Sequence, residues 1–155
     1  MTLIESLTDE FLRLQRQLIP LAELMPAEHY GFRPHPAVRT FGEQLRHIGA
    51  VQWVVGSALL DEPPPVEVGD GDSGPLDMVA KPDIIRYARD SFAQIKRAVA
   101  ATTPENLLEL VPHPYDAQNR SFTRLAVIAD YGSHGWEHYG QMVVYLRING
   151  MAPPM

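Results

Sequence analysis

The chain of 155 residues contains no cysteine, which excludes disulfide bridges and any metal or nucleophilic site built on protein thiols. It also lacks an apolar run of about 20 residues, the length that a membrane span requires. The N-terminal stretch has no basic region followed by an apolar core, which argues against a secretory signal. Basic residues number 13 against 19 acidic ones and form no cluster, so nucleic acid is a poor candidate partner. We therefore expect a cytoplasmic protein that binds neither membranes nor nucleic acids.

Strand signals are scarce as well, because alternating β-branched runs bounded by hairpin turns are missing, whereas helical periodicity is plentiful. The first helix is expected to kink or end at Pro20, which lacks an N–H group, and residues 21–25 could continue it for a further turn or two. Thr40 and Glu43 form the capping-box pattern at the start of the second helix. The pattern predicts four substantial helices, over about residues 2–20, 41–60, 82–101 and 121–150.

Long connecting segments separate these helices, and the one over residues 61–82 is rich in proline, glycine and acidic residues. Its Asp70-Gly-Asp72-Ser-Gly fragment begins like a calcium-binding EF-hand loop. The sixth position is Pro75 and the twelfth is Lys81, however, so the spacing fails and a surface loop is expected. One domain over residues 1–155, an all-α four-helix bundle with long connecting loops, is the predicted architecture.

Two histidines of the final helix, His134 and His138, are four residues apart and therefore project from the same face. That face also carries apolar and aromatic residues, so both imidazoles take positions where a core leucine or valine is usual. A third histidine, His47, lies on or beside the core-facing stripe of the second helix. Three imidazoles near the axis of a small bundle leave up to six ring nitrogens to satisfy.

One divalent cation would bind a nitrogen of each histidine and leave the other ring N–H for a neighbouring acceptor. Imidazole ligands favour a transition metal, with zinc or nickel as first candidates and iron as the third, over magnesium or calcium. Three protein ligands leave coordination positions open for water or substrate, as in catalytic zinc sites. The competing interpretation is that the histidines are hydrogen-bonded core residues without a metal.

Four other residues are candidates for supporting the histidines. Gln141 could orient a ligand or a bound water, and Tyr131 could donate a hydrogen bond, although plain packing is an equal alternative for both. Glu43 and Gln44, one turn before His47, are candidate acceptors for an imidazole N–H. The remaining histidines, His29, His35 and His113, lie in proline-flanked loops and are expected to be solvated.

A zinc protease was considered because residues 134–138 match the H-x-x-E-H pattern of inverted zincins. Such a site also needs a downstream carboxylate ligand, and no aspartate or glutamate follows His138. Glu137 lies about 100° around the helix from His138 and is expected to face solvent or a partner. The protease interpretation is rejected.

Several segments together resemble the DinB-like (YfiT-like) family. The last helix carries His134-x-x-x-His138-Tyr-Gly-Gln141 followed by Leu-Arg-x-x-Gly and a Pro-Pro pair, and the connector and second helix carry Tyr30-Gly-Phe-Arg-Pro34 and Arg39 to Ile48. The resemblance implies a four-helix bundle, usually dimeric, in which His47, His134 and His138 bind one divalent metal. Tyr139 departs from the pattern, since many members have arginine there.

The functional hypothesis is a divalent-metal-dependent enzyme acting on a small molecule, most concretely a thiol S-transferase that uses a low-molecular-weight thiol. The resemblance supplies the thiol chemistry, and a metal-bound hydroxide would make the same site a hydrolase. A non-catalytic metal-binding or ligand-binding protein is the alternative from another class. The final helix is apolar over about half its circumference, which favours a homodimer or contacts with two helices of its own bundle.

Overall fold

The computed structural model describes residues 2–154, so the terminal methionines of the predicted single domain lie outside the described residues. Four α-helices form a bundle, which confirms the predicted fold class. Their bounds are α1 (Leu3–Leu24), α2 (Phe41–Leu60), α3 (Lys81–Ala100) and α4 (Arg124–Ile148). A single 3₁₀ turn covers Ala27–His29, and two short strands, β1 (Leu110–Pro112) and β2 (Ser121–Thr123), pair antiparallel. No helix within residues 2–154 is long and apolar enough to cross a membrane.

The core lies along the bundle axis, because α1 and α2 each pack against both α3 and α4. Each helix contributes an apolar stripe to one continuous cluster, and its burial supplies the main stabilising free energy of the fold. Among the fully buried large side chains of this cluster are Leu14, Leu18, Phe41, Ile95 and Ile128.

Helix α2 begins where the sequence predicts. The Thr40 hydroxyl accepts a hydrogen bond from the Glu43 N–H at 3.2 Å, and the Glu43 carboxylate accepts one from the Thr40 N–H at 2.7 Å. This capping box satisfies two backbone donors that the first turn leaves free. It fixes the start of the helix one and a half turns before His47, whose ring therefore points into the core.

Helix α1 passes through Pro20 and continues to Leu24, the extension that the sequence had left open. Proline removes one intrahelical hydrogen bond, and here its ring lies on the exposed side of the helix. The residues around it, Ile19, Leu21 and Ala22, are buried in the core. Their packing offsets the local cost, so the tertiary context overrides the helix-breaking preference.

The segment before the last helix was predicted as a plain loop, and the helix was predicted to begin at Ser121. Instead, residues 110–123 form a hairpin in which Val111 pairs with Phe122, and α4 begins at Arg124. The Thr123 side chain accepts from the Ala126 N–H at 3.2 Å and caps the helix. Strands of three residues carry too short an alternation to be recognised from sequence.

Candidate metal centre

The three predicted histidines meet in the interior of the bundle. His47 comes from α2, and His134 and His138 come from successive turns of α4. Their Nε2 atoms form a nearly equilateral triangle: His47 lies 3.1 Å from His134 and 3.0 Å from His138, and the latter two are 3.1 Å apart. His47 and His138 are buried and His134 is half-buried. One cation could contact all three nitrogens at once.

The opposite ring nitrogens of two histidines face hydrogen-bond acceptors. His47 Nδ1 lies 2.6 Å from the Asp72 carbonyl oxygen, and His138 Nδ1 lies 2.9 Å from Gln44 Oε1 and 3.3 Å from Gln141 Oε1. A carbonyl or amide oxygen only accepts, so in both rings Nδ1 carries the proton. The Nε2 atoms of His47 and His138 therefore present lone pairs to each other across 3.0 Å.

The centre favours neutral imidazoles. Burial, together with the charge that His138 and His47 would carry, lowers the pKa of His134 to about 3. Burial and the charge of a protonated His47 lower the pKa of His138 to about 4. The pKa of His47 is lowered chiefly by burial. All three imidazoles are therefore uncharged near neutral pH, and the uncharged ring is the form of histidine that binds a metal.

The size of the triangle fits a transition metal. With metal–nitrogen bonds of about 2.0–2.1 Å, two ligand nitrogens are about 3.3 Å apart in a tetrahedral site and about 2.9 Å apart in adjacent octahedral positions. The observed spacings of 3.0–3.1 Å lie between these values. The donor set of three imidazoles suits zinc, nickel or iron better than magnesium or calcium.

Two of the four predicted supporting residues form hydrogen bonds with a histidine of the triad. Gln44 and Gln141 both direct side-chain oxygens at His138, and Gln44 Nε2 also donates to Gln141 Oε1 at 2.8 Å. Glu43 does not serve the centre, because its carboxylate caps α2 and lies 3.4 Å from Arg33. Tyr131 packs its ring edge against His134, with centroids 6.0 Å apart, but its buried hydroxyl has no partner within residues 2–154.

The loop between α2 and α3 also contributes to the centre, which the sequence did not indicate. The loop is exposed over most of its length, as predicted, but it reaches back over α2 with Gly74 and Pro75 buried. Consecutive loop carbonyls bind consecutive side chains of α2: the Asp72 carbonyl accepts from His47, and the Ser73 carbonyl accepts from Arg46 Nε at 2.7 Å. Both acceptors are main-chain carbonyl oxygens. Every residue has one, so the residue types in the sequence could not indicate these contacts.

His113 was predicted to be solvated, yet it is part of the wall beside the triad. Its side chain is about 15% exposed, its Nε2 lies 3.2 Å from Asp130 Oδ2, and its ring centroid is 5.4 Å from that of Tyr131. The hairpin that the sequence did not reveal brings it there. His29 is half-buried at the 3₁₀ turn, and only His35 is fully exposed as expected.

Two cavities flank the triad. One, of about 660 Å³, includes His138, Gln44 and Gln141 in its wall. The other, of about 770 Å³, includes His47 and His134 together with Tyr115, Tyr131 and Trp136. Glu137 is exposed, lies at the rim of both, and is 3.4 Å from Gln141 Nε2, in agreement with its predicted position away from the histidine face.

Solved structures with the same fold support this architecture. A DinB-like protein from Bacillus cereus ATCC 10987 superposes with a TM-score of 0.79 at 18% identity, covering 97% of this chain and 95% of that one. A DinB-like protein from Bacillus subtilis gives 0.74 at 19% identity, covering 97% and 96%. A conserved protein from Enterococcus faecalis gives 0.74 at 15% identity, covering 94% and 95%.

The sequence comparison agrees with the structural one. No curated protein matches the chain. The family model of the DinB superfamily matches residues 5–142, a range that contains α2, α3, the three histidines, and all but the first two residues of α1 and the last six of α4. With most of its length matched, the chain belongs to the DinB superfamily.

Proposed function

We propose that this protein binds one divalent transition metal, zinc or nickel before iron, through Nε2 of His47, His134 and His138. The observation that carries the proposal is the pair of lone-pair nitrogens on His47 and His138, which face each other at 3.0 Å. Two acceptors at that distance repel each other unless a positive centre lies between them. A divalent cation relieves this repulsion and uses the third nitrogen as well.

The alternative is a purely structural histidine cluster. In that case His134 Nε2–H would donate to both neighbours as a three-centre hydrogen bond, over distances of 3.1 Å. A single proton would then be shared among the three Nε2 atoms, whereas a metal would bind the lone pair of each one. The hydrogen bonds at the opposite nitrogens of His47 and His138 also match the outer contacts that hold metal-binding imidazoles in place.

We further propose that the metal centre is catalytic and that a low-molecular-weight thiol is one of two substrates. When bound, the metal would lower the pKa of a coordinating thiol or water and so supply a nucleophile near neutral pH. Gln44 and Gln141 hold His138, and the Asp72 carbonyl holds His47, so the ligand geometry is kept during turnover. In the transfer, the thiol releases its proton to solvent, its sulfur forms a bond to the electrophilic carbon, and the bond from that carbon to the leaving group breaks with the electron pair going to the leaving group.

The two cavities favour a transferase over a hydrolase or a simple binding protein. Each cavity has at least one histidine of the triad in its wall, and each has the volume of a small-molecule site. A hydrolase needs one organic substrate and water, whereas a transferase must hold two organic molecules at one centre. The chain also contains no cysteine, so the nucleophilic sulfur would have to come from a free thiol.

Metal content tests the first part of the proposal. Untagged protein should contain close to one equivalent of a transition metal by mass spectrometry, or take up one after chelation and reconstitution. His134→Ala should reduce this to a small fraction, whereas His35→Ala, which changes an exposed histidine, should retain it. Absence of metal in the wild-type protein both as purified and after reconstitution would refute the proposal.

Turnover tests the second part. Metal-loaded protein is assayed with a panel of thiols and alkyl or aryl electrophiles, following thioether formation by chromatography. We expect rates above background for wild type that fall at least 100-fold in His134→Ala. Full metal loading with background rates throughout the panel would leave a metal-binding protein without transferase activity.

A further inference from the structure

The cavity beside His138 differs in charge from the cavity on the other side of the triad. Its wall contains three arginines, Arg33, Arg39 and Arg46, and only two carboxylates, those of Glu43 and Glu137. The opposite cavity has three carboxylates in its wall, and none of its described lining residues is lysine or arginine. In a chain with a net charge of −6, this concentration of arginine on one side is a local exception.

Arg46 is the most unusual of the three, because it is a buried cation that forms no salt bridge within residues 2–154, although its charge contributes to lowering the pKa of the nearby Glu43 carboxyl. It is about 5% exposed. Nε donates to the Ser73 carbonyl at 2.7 Å, and Nη1 faces the carbonyls of Met78 at 2.9 Å and Leu76 at 3.4 Å. Within residues 2–154, Nη2 has no hydrogen-bond partner and is not sealed from solvent. A buried guanidinium with free donors is costly unless an anion completes it.

The position of Arg46 connects this free donor with the metal centre. Arg46 and His47 are adjacent in α2 and are held by adjacent carbonyls of the same loop. The cavity that Arg46 lines also touches His138 and Gln141. A molecule in this cavity can therefore contact His138 while its charged end remains near Arg46.

The two other arginines retain donors of their own. Arg39 uses Nη2 for Asp72, and Arg33 uses Nη2 for a long contact of 3.4 Å with Glu43. Both side chains are more than one-third exposed, so their remaining N–H groups can turn towards a ligand. Arginine is suited to this role because its planar fork binds a carboxylate or phosphate with two parallel hydrogen bonds.

We propose that the cavity formed by Arg33, Arg39 and Arg46 binds an anionic group, a carboxylate or phosphate, on the thiol substrate. The acidic cavity on the other side would then receive the uncharged or cationic electrophile. This inference rests on the proposed function, since it assigns the charge class of the substrates of the same centre.

The test uses two thiols that differ only in charge, 3-mercaptopropionate and 3-mercaptopropionamide. Each is titrated into cobalt(II)-loaded protein at low ionic strength, and binding is followed by the sulfur-to-cobalt charge-transfer absorption. For each protein, the dissociation constant of the amide thiol is divided by that of the carboxylate thiol. This ratio should be about tenfold higher in wild type than in Arg46→Gln. Comparing this ratio between proteins cancels the different pKa values of the two thiols.

Three further variants make the result specific. Arg33→Gln changes an exposed side chain whose salt bridge, to Glu43, is long at 3.4 Å, and it should reduce the ratio by a smaller factor even if Arg46→Gln fails to fold. Arg89→Gln, on α3 and paired with Glu23, should leave the ratio at its wild-type value. If Arg46→Gln folds, an unchanged ratio in both Arg33→Gln and Arg46→Gln would overturn the anion subsite. If Arg46→Gln does not fold, an unchanged ratio in the double variant Arg33→Gln/Arg39→Gln would overturn it.

Failure of the proposed function gives a different result. If neither thiol produces the absorption in wild type, thiol binding at the centre is refuted. The anion subsite is then tested with inorganic phosphate on metal-free protein, which should raise the melting temperature of wild type more than that of Arg33→Gln. Equal shifts in the two proteins would overturn the subsite independently of the metal.

Discussion

The protons on three imidazole rings determine what the triad can bind. In His47 and His138 the Nδ1–H groups point at oxygen acceptors, so the Nε2 lone pairs are turned inward before any metal arrives. This preorganisation reduces the reorganisation that metal binding requires. His134 is set by its position one turn before His138 on α4.

Gln44→Ala is expected to weaken metal binding by about tenfold, because His138 loses the acceptor at 2.9 Å that holds its ring. Gln141 remains at 3.3 Å as a partial substitute, so the double variant Gln44→Ala/Gln141→Ala should lose up to about 100-fold. Competition titration with a chromophoric chelator measures both affinities. Gln118→Ala, in the exposed hairpin loop, is the control, and equal affinities in all four proteins would contradict the role of the two glutamines.

Helical spacing made the three clustered histidines and the two glutamines that contact His138 predictable from the sequence. His134 and His138 share a face, His47 lies on a buried stripe, and Gln44 and Gln141 are each one turn from a ligand histidine. Asp72 and Arg46 were not predictable, because their roles depend on how a loop without periodicity folds back onto α2. His113 was missed because its position depends on a hairpin of three-residue strands.

Among the elements, the loop between α2 and α3 is expected to be sensitive to any change that lifts it from Arg46. Gly74 has φ +70°, and an added Cβ would lie 2.9 Å from Arg46 Cγ. Gly74→Ala should therefore destabilise the protein by more than the roughly 1–2 kcal/mol of a left-handed backbone position alone, and should also weaken metal binding. Chemical denaturation and chelator competition measure the two effects.

Gly71→Ala is the matched control for this loop. Its φ is +84°, but an added Cβ would meet nothing closer than 3.6 Å. It should show the backbone cost without the effect on metal affinity. If the two alanine variants behave alike, the contact between the loop and Arg46 does not position His47.

Helix α4 contains a second pair of glycines that separates packing from backbone preference. An alanine Cβ at Gly135, between the two histidines, would lie 2.3 Å from the Leu14 side chain of α1, whereas one at Gly140 would meet nothing within 4 Å. Gly135→Ala should destabilise the bundle by about 1–3 kcal/mol. Gly140→Ala should stabilise it by up to about 1 kcal/mol. Thermal unfolding decides, and a stabilising Gly135→Ala would contradict the close approach of α1 and α4.

The whole molecule should lose stability in mild acid when it is free of metal. His134 and His138 have pKa values of about 3 and about 4 in the fold, below the value of about 6.5 for an unfolded histidine. Between these limits the unfolded chain binds more protons, so the free energy of unfolding falls as the pH drops from about 6.5 towards 4. Urea midpoints measured in chelator from pH 7.5 to 5 test this, with a shallower decline expected for His134→Ala. A flat wild-type profile would contradict neutral buried imidazoles.

We propose that the whole protein forms a homodimer. Helix α4 satisfies much of its wide apolar face within the chain by packing against α1 and α2, yet Val144 and Ile148 remain about half exposed. Sedimentation at micromolar concentration should show a dimer for wild type and a monomer for Val144→Glu/Ile148→Glu. A wild-type monomer would exclude this assembly.

The loop that covers α2 has a consequence for how this centre tolerates sequence change. It orients His47 and fixes Arg46 through main-chain carbonyls of Asp72 and Ser73, and a substitution at either position leaves a carbonyl in place. Sequence change can therefore alter many of the loop's side chains while the support of His47 persists. Asp70 is an exception, because its carboxylate accepts from the N–H groups of Asp72 and Ser73 at 3.0 and 2.6 Å and so holds the two carbonyl-bearing residues in place. The other constraint is on backbone shape, at Gly74 and at Gly69, where an added Cβ would lie 2.5 Å from the Gly74 carbonyl oxygen.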